Sequence, residues 1–243
     1  MRRLLLLLCL VLTVPGAASA GVCDDWNALY QKIRDYRIEP EQAQREFAVL
    51  HRRLRAAYPN VGGKARYYPV AGYDASGGEK GRNYKPRGYK FFTGNPRGIH
   101  AAHDLFIRDK DQDCLDDRSG EPVEVVAYAG GVVVGLNPDW SYPSELRGGK
   151  YLWIFDSRSG RYDYYAHLNH LDVRLGQVVK AGEHLGMLGR TGKNAWMQRS
   201  PTHLHFMALS YDGGRMTPWN PWPALLKARL VSAPAPVAAL PAR

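Results

Sequence analysis

The sequence predicts a mainly β protein, an antiparallel-sheet core preceded by a helical hairpin, and three observations carry that prediction. Apolar residues recur at helical three- and four-residue steps from Asp24 to Tyr58 and then stop. Beyond Gly62-Gly63 the texture changes to aromatics, glycines and short alternating runs joined by tight turns. Ser200 to Leu209 alternates polar and apolar residues, so a half-buried strand there sets His203 and His205 on one face and Leu204 and Phe206 on the other. Two histidines so spaced stand roughly 6.6 Å apart at about 3.3 Å of rise per residue, close enough to share one site.

The N-terminus is read first as an address. Met1-Arg2-Arg3, the apolar run Leu4 to Val14 and the small residues Ala18-Ser19-Ala20 predict a signal peptide over residues 1–20 and an exported protein, periplasmic or secreted. The apolar run falls short of the about 20 residues needed to span a bilayer, so no membrane span is expected in the mature chain. Val22 before Cys23 disfavours a lipoprotein site. Cys9 leaves with the signal, and the remaining pair, Cys23 and Cys114, predicts one disulfide in an oxidising compartment. Lys and Arg number 33 against 23 Asp and Glu. Loss of Arg2 and Arg3 still leaves a strongly basic chain, suited to anionic surroundings. Export and the lack of a binding motif exclude nucleic acid as the expected partner.

In chain order, Trp26, Leu29, Tyr30 and Ile33 mark a first helix. Ala43, Phe47, Leu50, Leu54 and Ala57 mark a second, with Pro40 in its first turn. This helical segment occupies residues 21–62. His51 falls among Arg52, Arg53 and Arg55 and reads as part of a solvated basic face. Residues 63–228 form the β-rich domain: Val123 to Leu136 holds two apolar runs around Gly130-Gly131, and Tyr151–Phe155 and Tyr162–Leu168 flank a glycine-bearing turn. Residues 229–243 are Ala/Pro-rich and expected to be disordered.

Seven of the eight histidines lie between His100 and His205, which invites a metal hypothesis. On a straight strand His100 and Asp104 would stand about 13 Å apart, too far to share an ion, so a bend must bring them together. Gly98 could permit one. His103 is the spare ligand, poorly placed beside Asp104. His167, in Tyr164-Tyr165-Ala166-His167-Leu168, reads by itself as a core histidine among aromatics, and His170 and His184 read as loop polarity. A strand His-x-His could equally donate both imidazoles to one metal.

Together these segments resemble the lysostaphin-type, or LytM-like, zinc metallopeptidases that cut peptidoglycan. The family's His-x-x-x-Asp, Tyr-x-His-Leu and His-x-His stand here, in order, as His100 to Asp104, Tyr165 to Leu168 and His203 to His205. The resemblance continues through Gly130-Gly131-Val132-Val133 and the glycine-punctuated stretch from Val173 to Gly192, and covers Gly98 to Leu209. It implies an antiparallel LytM-like core, one catalytic Zn2+ held by His100, Asp104 and His205, and His203 and His167 as catalytic histidines. Three protein ligands leave a fourth position for water, as catalytic zinc requires. His203 would then take the water's proton while His167 donates a hydrogen bond to the oxyanion or the water.

The chain departs from the simplest layout in the polar insertion from Arg108 to Arg118. Asp109, Asp111 and Asp113 mimic the start of a calcium loop, but Cys114 replaces its glycine and Gly120 its bidentate glutamate, so a solvated acidic loop is expected. No wall-binding domain is evident, and the helical hairpin is expected to cover or regulate the groove. The implied function is a zinc endopeptidase hydrolysing peptide cross-links of peptidoglycan. The alternative is a non-catalytic LytM-like activator of other wall hydrolases, disfavoured because all five site residues are present. A lipoyl-type carrier reading of Val173 to Gly192 fails on Lys180, which lies outside the turn where a carrier lysine belongs.

Overall fold

A computed structural model of the chain describes residues 17–76, 80–94 and 98–232, with side chains from residue 21 onward. The expected signal peptide lies outside the described residues except for the helical backbone of residues 17–20, as do residues 233–243 of the expected tail. Among the described residues no helix is long and apolar enough to cross a membrane.

The helical periodicity becomes α1 (Ala17–Arg34) and α2 (Pro40–Ala57), with Pro40 at the start of α2. A proline there costs no hydrogen bond, because the first-turn amides have no partner within the helix. The sheet has nine strands: β1 (His103–Phe106), β2 (Glu124–Val126), β3 (Gly131–Asn137), β4 (Lys150–Asp156), β5 (Arg161–Leu171), β6 (Val178–Val179), β7 (His184–Leu188), β8 (His203–Asp212) and β9 (Arg215–Trp219). All pairings between these strands are antiparallel, and the main path runs β1-β8-β5-β4-β3-β6. A short α3 (Trp222–Leu225) follows. The sheet and the N-terminal helices match the expected mainly β architecture, an antiparallel core preceded by a helical hairpin.

The hairpin is not an appendage. Trp26 of α1 stacks on Tyr162 of β5 at 5.6 Å between ring centroids and meets Trp153 of β4 edge-on at 5.8 Å. Phe47 of α2 reaches Tyr162 and Phe91 at 5.5 Å each. One apolar cluster therefore runs from both helices through Val132, Trp153, Tyr162 and Met207 on one face of the sheet. Gly135 makes the contact possible: a Cβ there would lie 2.7 Å from the Trp26 ring, so only glycine lets α1 come this close. A second cluster, with Val125, Leu152, Tyr165, Leu204 and Phe206, fills the other face.

Three expectations change. His51 is not on a solvated face: it is buried, hydrogen-bonded through Nδ1 to Tyr162 Oη at 2.9 Å and packed 4.5 Å from the Tyr211 ring. A helix carrying four arginines still needs its whole apolar face, and His51 lies four residues after Phe47 on that face. The disulfide is absent, since Cys23 and Cys114 are both free thiols. Cys23 is sealed under the helices beside Tyr58 Oη, and burial pushes its thiol up to about 11. Cys114 sits instead in the insertion, near Asp109 and Arg190. The start of the expected tail is ordered: Tyr68 N donates to Arg229 O at 2.8 Å, and Gly72 N to Val231 O at 2.8 Å.

The insertion also differs from a solvated loop. Asp109 is buried and accepts hydrogen bonds from Asp113 N (3.1 Å), Cys114 N (3.0 Å) and Thr202 Oγ1 (2.5 Å). It thereby ties residues 109–114 to the residue preceding β8. Asp109→Ala removes the acceptor and leaves the buried Thr202 hydroxyl without it, at a cost of about 2–4 kcal/mol. Hydrogen exchange should rise across residues 109–118 and at Thr202, and unchanged protection there would show that Asp109 does not hold the loop.

His51 sets a second expectation. Burial, with Arg55 and Arg52 adding to it, lowers its imidazole from 6.5 to about 4. The unfolded chain therefore binds this proton in a pH window where the folded chain does not, so stability is full above 6.5 and falls as pH drops towards 4. The loss reaches about 3 kcal/mol at the acid end. Denaturant unfolding of wild type and His51→Gln near neutral pH and near pH 4 should show a smaller acid loss in the variant. Equal losses would remove His51 as a source of acid sensitivity.

Candidate active site

The site is built on β8. Leu204 and Phe206 are fully buried in the second core cluster, so His203 and His205 must face the other way, towards the groove. On one side β1 pairs Asp104 with His205, setting that carboxylate on the same face. Asp104 Oδ1 lies 3.0 Å from His205 Nδ1. The expected bend is present: β1 begins only at His103, Gly98 has φ +85°, and His100 turns back so that its Nε2 stands 3.2 Å from Asp104 Oδ1 and 3.3 Å from His205 Nδ1.

His103 takes no part in this group. One residue from Asp104 on the strand, it points to the opposite face, where it is buried against Tyr84 and Trp222 and its Nε2 meets Asn220 Oδ1 at 2.9 Å. His170 and His184 are likewise remote, each paired with Asp172, at 3.0 and 2.8 Å.

His167 reaches the groove by a break in the strand pattern. On β5, Tyr165 belongs to the second core cluster and Ala166 to the first, so strict alternation would send His167 into the second core. The β4–β5 register shifts here: Tyr151 pairs with Ala166 and Lys150 with Leu168, leaving His167 as the extra residue of a bulge. Its φ is +70°, a left-handed conformation that costs a non-glycine residue about 1–3 kcal/mol. The bulge re-aims the ring, which then lies 4.9 Å from that of His203 and 5.7 Å from that of His205. Gly192 accommodates it: a Cβ there would come 2.3 Å from Arg147 O and 3.0 Å from His167 Nδ1.

Main-chain carbonyls fix the tautomers, because a carbonyl can only accept. His167 Nδ1 donates to Thr191 O at 2.8 Å, His203 Nδ1 to Pro201 O at 2.7 Å and His100 Nδ1 to Asn83 O at 3.0 Å. Each neutral ring is left with a lone pair at Nε2. Burial pushes His167 well below the usual histidine range, and His203 and His205 beside it add to the effect. Burial lowers His205 as well, against the pull of Asp104. For Asp104 burial alone would favour the neutral acid, but the His100 and His205 contacts outweigh it and hold the carboxyl far below the usual carboxylate range.

This arrangement fits a cation. His100 Nε2 faces the ionised Asp104 at 3.2 Å, and a positive charge between the two would hold them together. Donors held about 2.0–2.1 Å from one tetrahedral ion stand roughly 3.3 Å apart, and the three separations here are 3.0, 3.2 and 3.3 Å. His100, Asp104 and His205 thus form a group able to hold a metal ion. Asp109, Asp111 and Asp117 form another such group, but Asp111 and Asp117 are exposed and Asp109 is already committed to the insertion.

The group opens into a groove of about 840 Å3. Tyr30, Arg34, Asp35 and Tyr36 at the end of α1 line it, so the hairpin supplies one wall. Residues 144–148 supply another, joined to His167 by the bond from its backbone N to Gly148 O at 3.0 Å. Sequence reasoning did not identify Asn83, Pro201 or Arg147 as parts of the site. The first two act through backbone oxygens that every residue possesses. Thr191 carried a signal, the Gly-Arg-Thr-Gly run, whose meaning is steric as well as chemical.

Residues 114–218 match the model of peptidase family M23. The match includes His167, His203 and His205 and begins after His100 and Asp104. Lysostaphin from Staphylococcus staphylolyticus is 27% identical over 150 residues, covering 62% of this chain and 26% of that protein. Lysostaphin from Staphylococcus simulans is also 27% identical over 150 residues, 25% of its own length. The chain thus spans about a quarter of the length of the curated relatives it matches. Among solved structures, the catalytic domain of lysostaphin from Staphylococcus simulans is 26% identical, covering 65% of this chain and 92% of that one, with a TM-score of 0.39. A zinc containing peptidase from Vibrio cholerae is 22% identical, covering 56% of this chain and 38% of that one, with a TM-score of 0.32. The M23 match thus spans the His167 bulge and the β8 histidines, and the chain is similar to lysostaphin over 150 residues.

Proposed function

We propose that this chain is an exported zinc endopeptidase that hydrolyses peptide cross-links of peptidoglycan. The observation that carries the reading is the convergence of His100 Nε2, Asp104 Oδ1 and His205 Nδ1 within 3.0–3.3 Å of one another, beside two further imidazoles. The M23 match over residues 114–218 supports the peptidase class, and the similarity to lysostaphin supports a wall substrate. Zinc, when bound by these three residues, supplies Lewis-acid polarisation of the scissile carbonyl and a more acidic water.

The remaining chemistry belongs to the chain. His203, held through Nδ1, presents Nε2 as a proton acceptor on the groove side, 3.6 Å from Asp104 Oδ1. His167 presents the same atom in the same state, which refines the division expected from the family. A neutral His167 cannot donate from Nε2 while its single N–H is given to Thr191 O. It becomes the donor an oxyanion needs only after taking a proton. The imidazole that accepts the water's proton is therefore the one able to stabilise the oxyanion and then protonate the leaving amine. The groove wall made by α1 orients the peptide and excludes water from one side.

The test is digestion of purified muropeptides, with diaminopimelate and with glycine cross-links, read by mass spectrometry. Zinc-loaded wild type should cleave at least one type, and His203→Ala should lose about 100-fold or more in rate. Metal analysis should give one zinc per chain, lost in His100→Ala, Asp104→Ala and His205→Ala but retained in His103→Ala. Cleavage of neither substrate by the zinc-loaded protein would favour the activator reading, and full activity in His203→Ala would refute its role.

A further inference from the structure

The groove is lined by five charged side chains besides its histidines, and four of them are already satisfied. Asp104 faces the histidines, Arg34 is clasped by Asp35 and Tyr151 Oη, Asp35 is bound by Arg34 and Arg37, and Glu145 pairs with Lys193. Among the described residues Arg147 is the one charged lining side chain with no ion pair or hydrogen bond. It is exposed, and its backbone is locked in place: the adjacent Gly148 O accepts from His167 N, and Lys193 N donates to Leu146 O at 3.0 Å. Arg147 O and His167 Nδ1 both lie within 3.0 Å of the point where a Cβ on Gly192 would stand, so the arginine springs from beside the catalytic imidazole.

We propose that Arg147 is a specificity-determining residue that pairs with a free carboxylate carried by the carbon next to the scissile nitrogen of the substrate. The inference rests on the endopeptidase reading above and names the substrate class of that site. A guanidinium without an internal partner, at the mouth of a groove whose other charges are paired, gains most from an anion delivered by the ligand. The two kinds of wall cross-link differ at this point. When the amine is the side-chain nitrogen of diaminopimelate, the carbon bearing it also bears a carboxylate. In a glycine bridge that carbon leads instead into a neutral amide. The groove therefore selects cross-links made through a diamino diacid over oligoglycine bridges. Glu145 lines the same wall, and its pairing with Lys193 keeps it from opposing the incoming carboxylate.

Two synthetic cross-linked peptides test this, identical except that the carboxylate beside the scissile nitrogen is free in one and amidated in the other. Each is also made with a methylene in place of that nitrogen, so that binding is read without cleavage. Zinc-loaded wild type should prefer the free acid about 10- to 100-fold, in Kd for the uncleavable pair and in KM rather than kcat for the cleavable one. Arg147→Gln should erase the preference between the two peptides, and Arg147→Lys should restore part of it. Because the Arg147 side chain makes no hydrogen bond or ion pair within the chain, neither substitution removes one from the fold. Equal binding of the two analogues, or a preference that survives Arg147→Gln, would overturn the proposal. A preference in binding without cleavage of either peptide would leave this assignment standing and reject the endopeptidase reading. Cleavage of both alike would do the reverse.

Discussion

The structure depends on the two-sided demand placed on β8. Leu204 and Phe206 are withdrawn completely from water, and a strand's period of two then leaves His203 and His205 no direction except the groove. A slip of one residue would bury two imidazoles and expose a leucine and a phenylalanine, so the hydrophobic effect itself fixes the register of the site. Neighbouring strands inherit it. Asp104 is brought opposite His205 by the pairing of β1 with β8, and Leu105 opposite Leu204 follows the same division of faces.

The first core cluster has a comparable role for the hairpin. With Trp26, Phe47 and Trp153 in one aromatic cluster, α1 and α2 cover sheet surface that would otherwise stand exposed, each large side chain contributing roughly 1.5–3 kcal/mol by its burial. The position of α1 is thereby set by packing, and the groove wall formed by Tyr30, Arg34 and Tyr36 is a consequence of it. The helices contribute to substrate geometry because they contribute to stability.

Much of this was legible from residue patterns. Helix periodicity located α1 and α2, alternation located β8, and the impossible reach of a straight strand between His100 and Asp104 demanded the bend that Gly98 begins. What escaped the sequence was what depends on neighbours far along the chain. His51 looked solvated because its nearest residues are arginines, and Tyr162, which holds it, comes 111 residues later. Cys23 and Cys114 were paired by count, although burial assigns them to different neighbourhoods. His167 looked by itself like a core residue because it stands among aromatics, and strict alternation would indeed place it there. Only the bulge, a local violation of the pattern, turns it out.

Loops, more than strands, then decide what each histidine can do. His203 and His205 are two residues apart on one strand and chemically identical in isolation. Pro201 O takes the Nδ1 proton of the first, whereas Asp104 faces Nδ1 of the second. Pro201 is held in turn by a loop that Arg190 pins through Ser200 O, Met197 O and Thr202 Oγ1, and Thr202 is tied to Asp109 of the insertion. Thr191 O orients His167 while the same residue's hydroxyl bonds Leu168 O at 2.7 Å, one residue beyond the bulge. The strain of a left-handed histidine is thus offset by contacts on both sides of it, and its ring is held with one nitrogen committed and the other open. A strand can bring two rings to one face, but only these carbonyls, placed by irregular segments, give the rings different protonation patterns and so different chemistry.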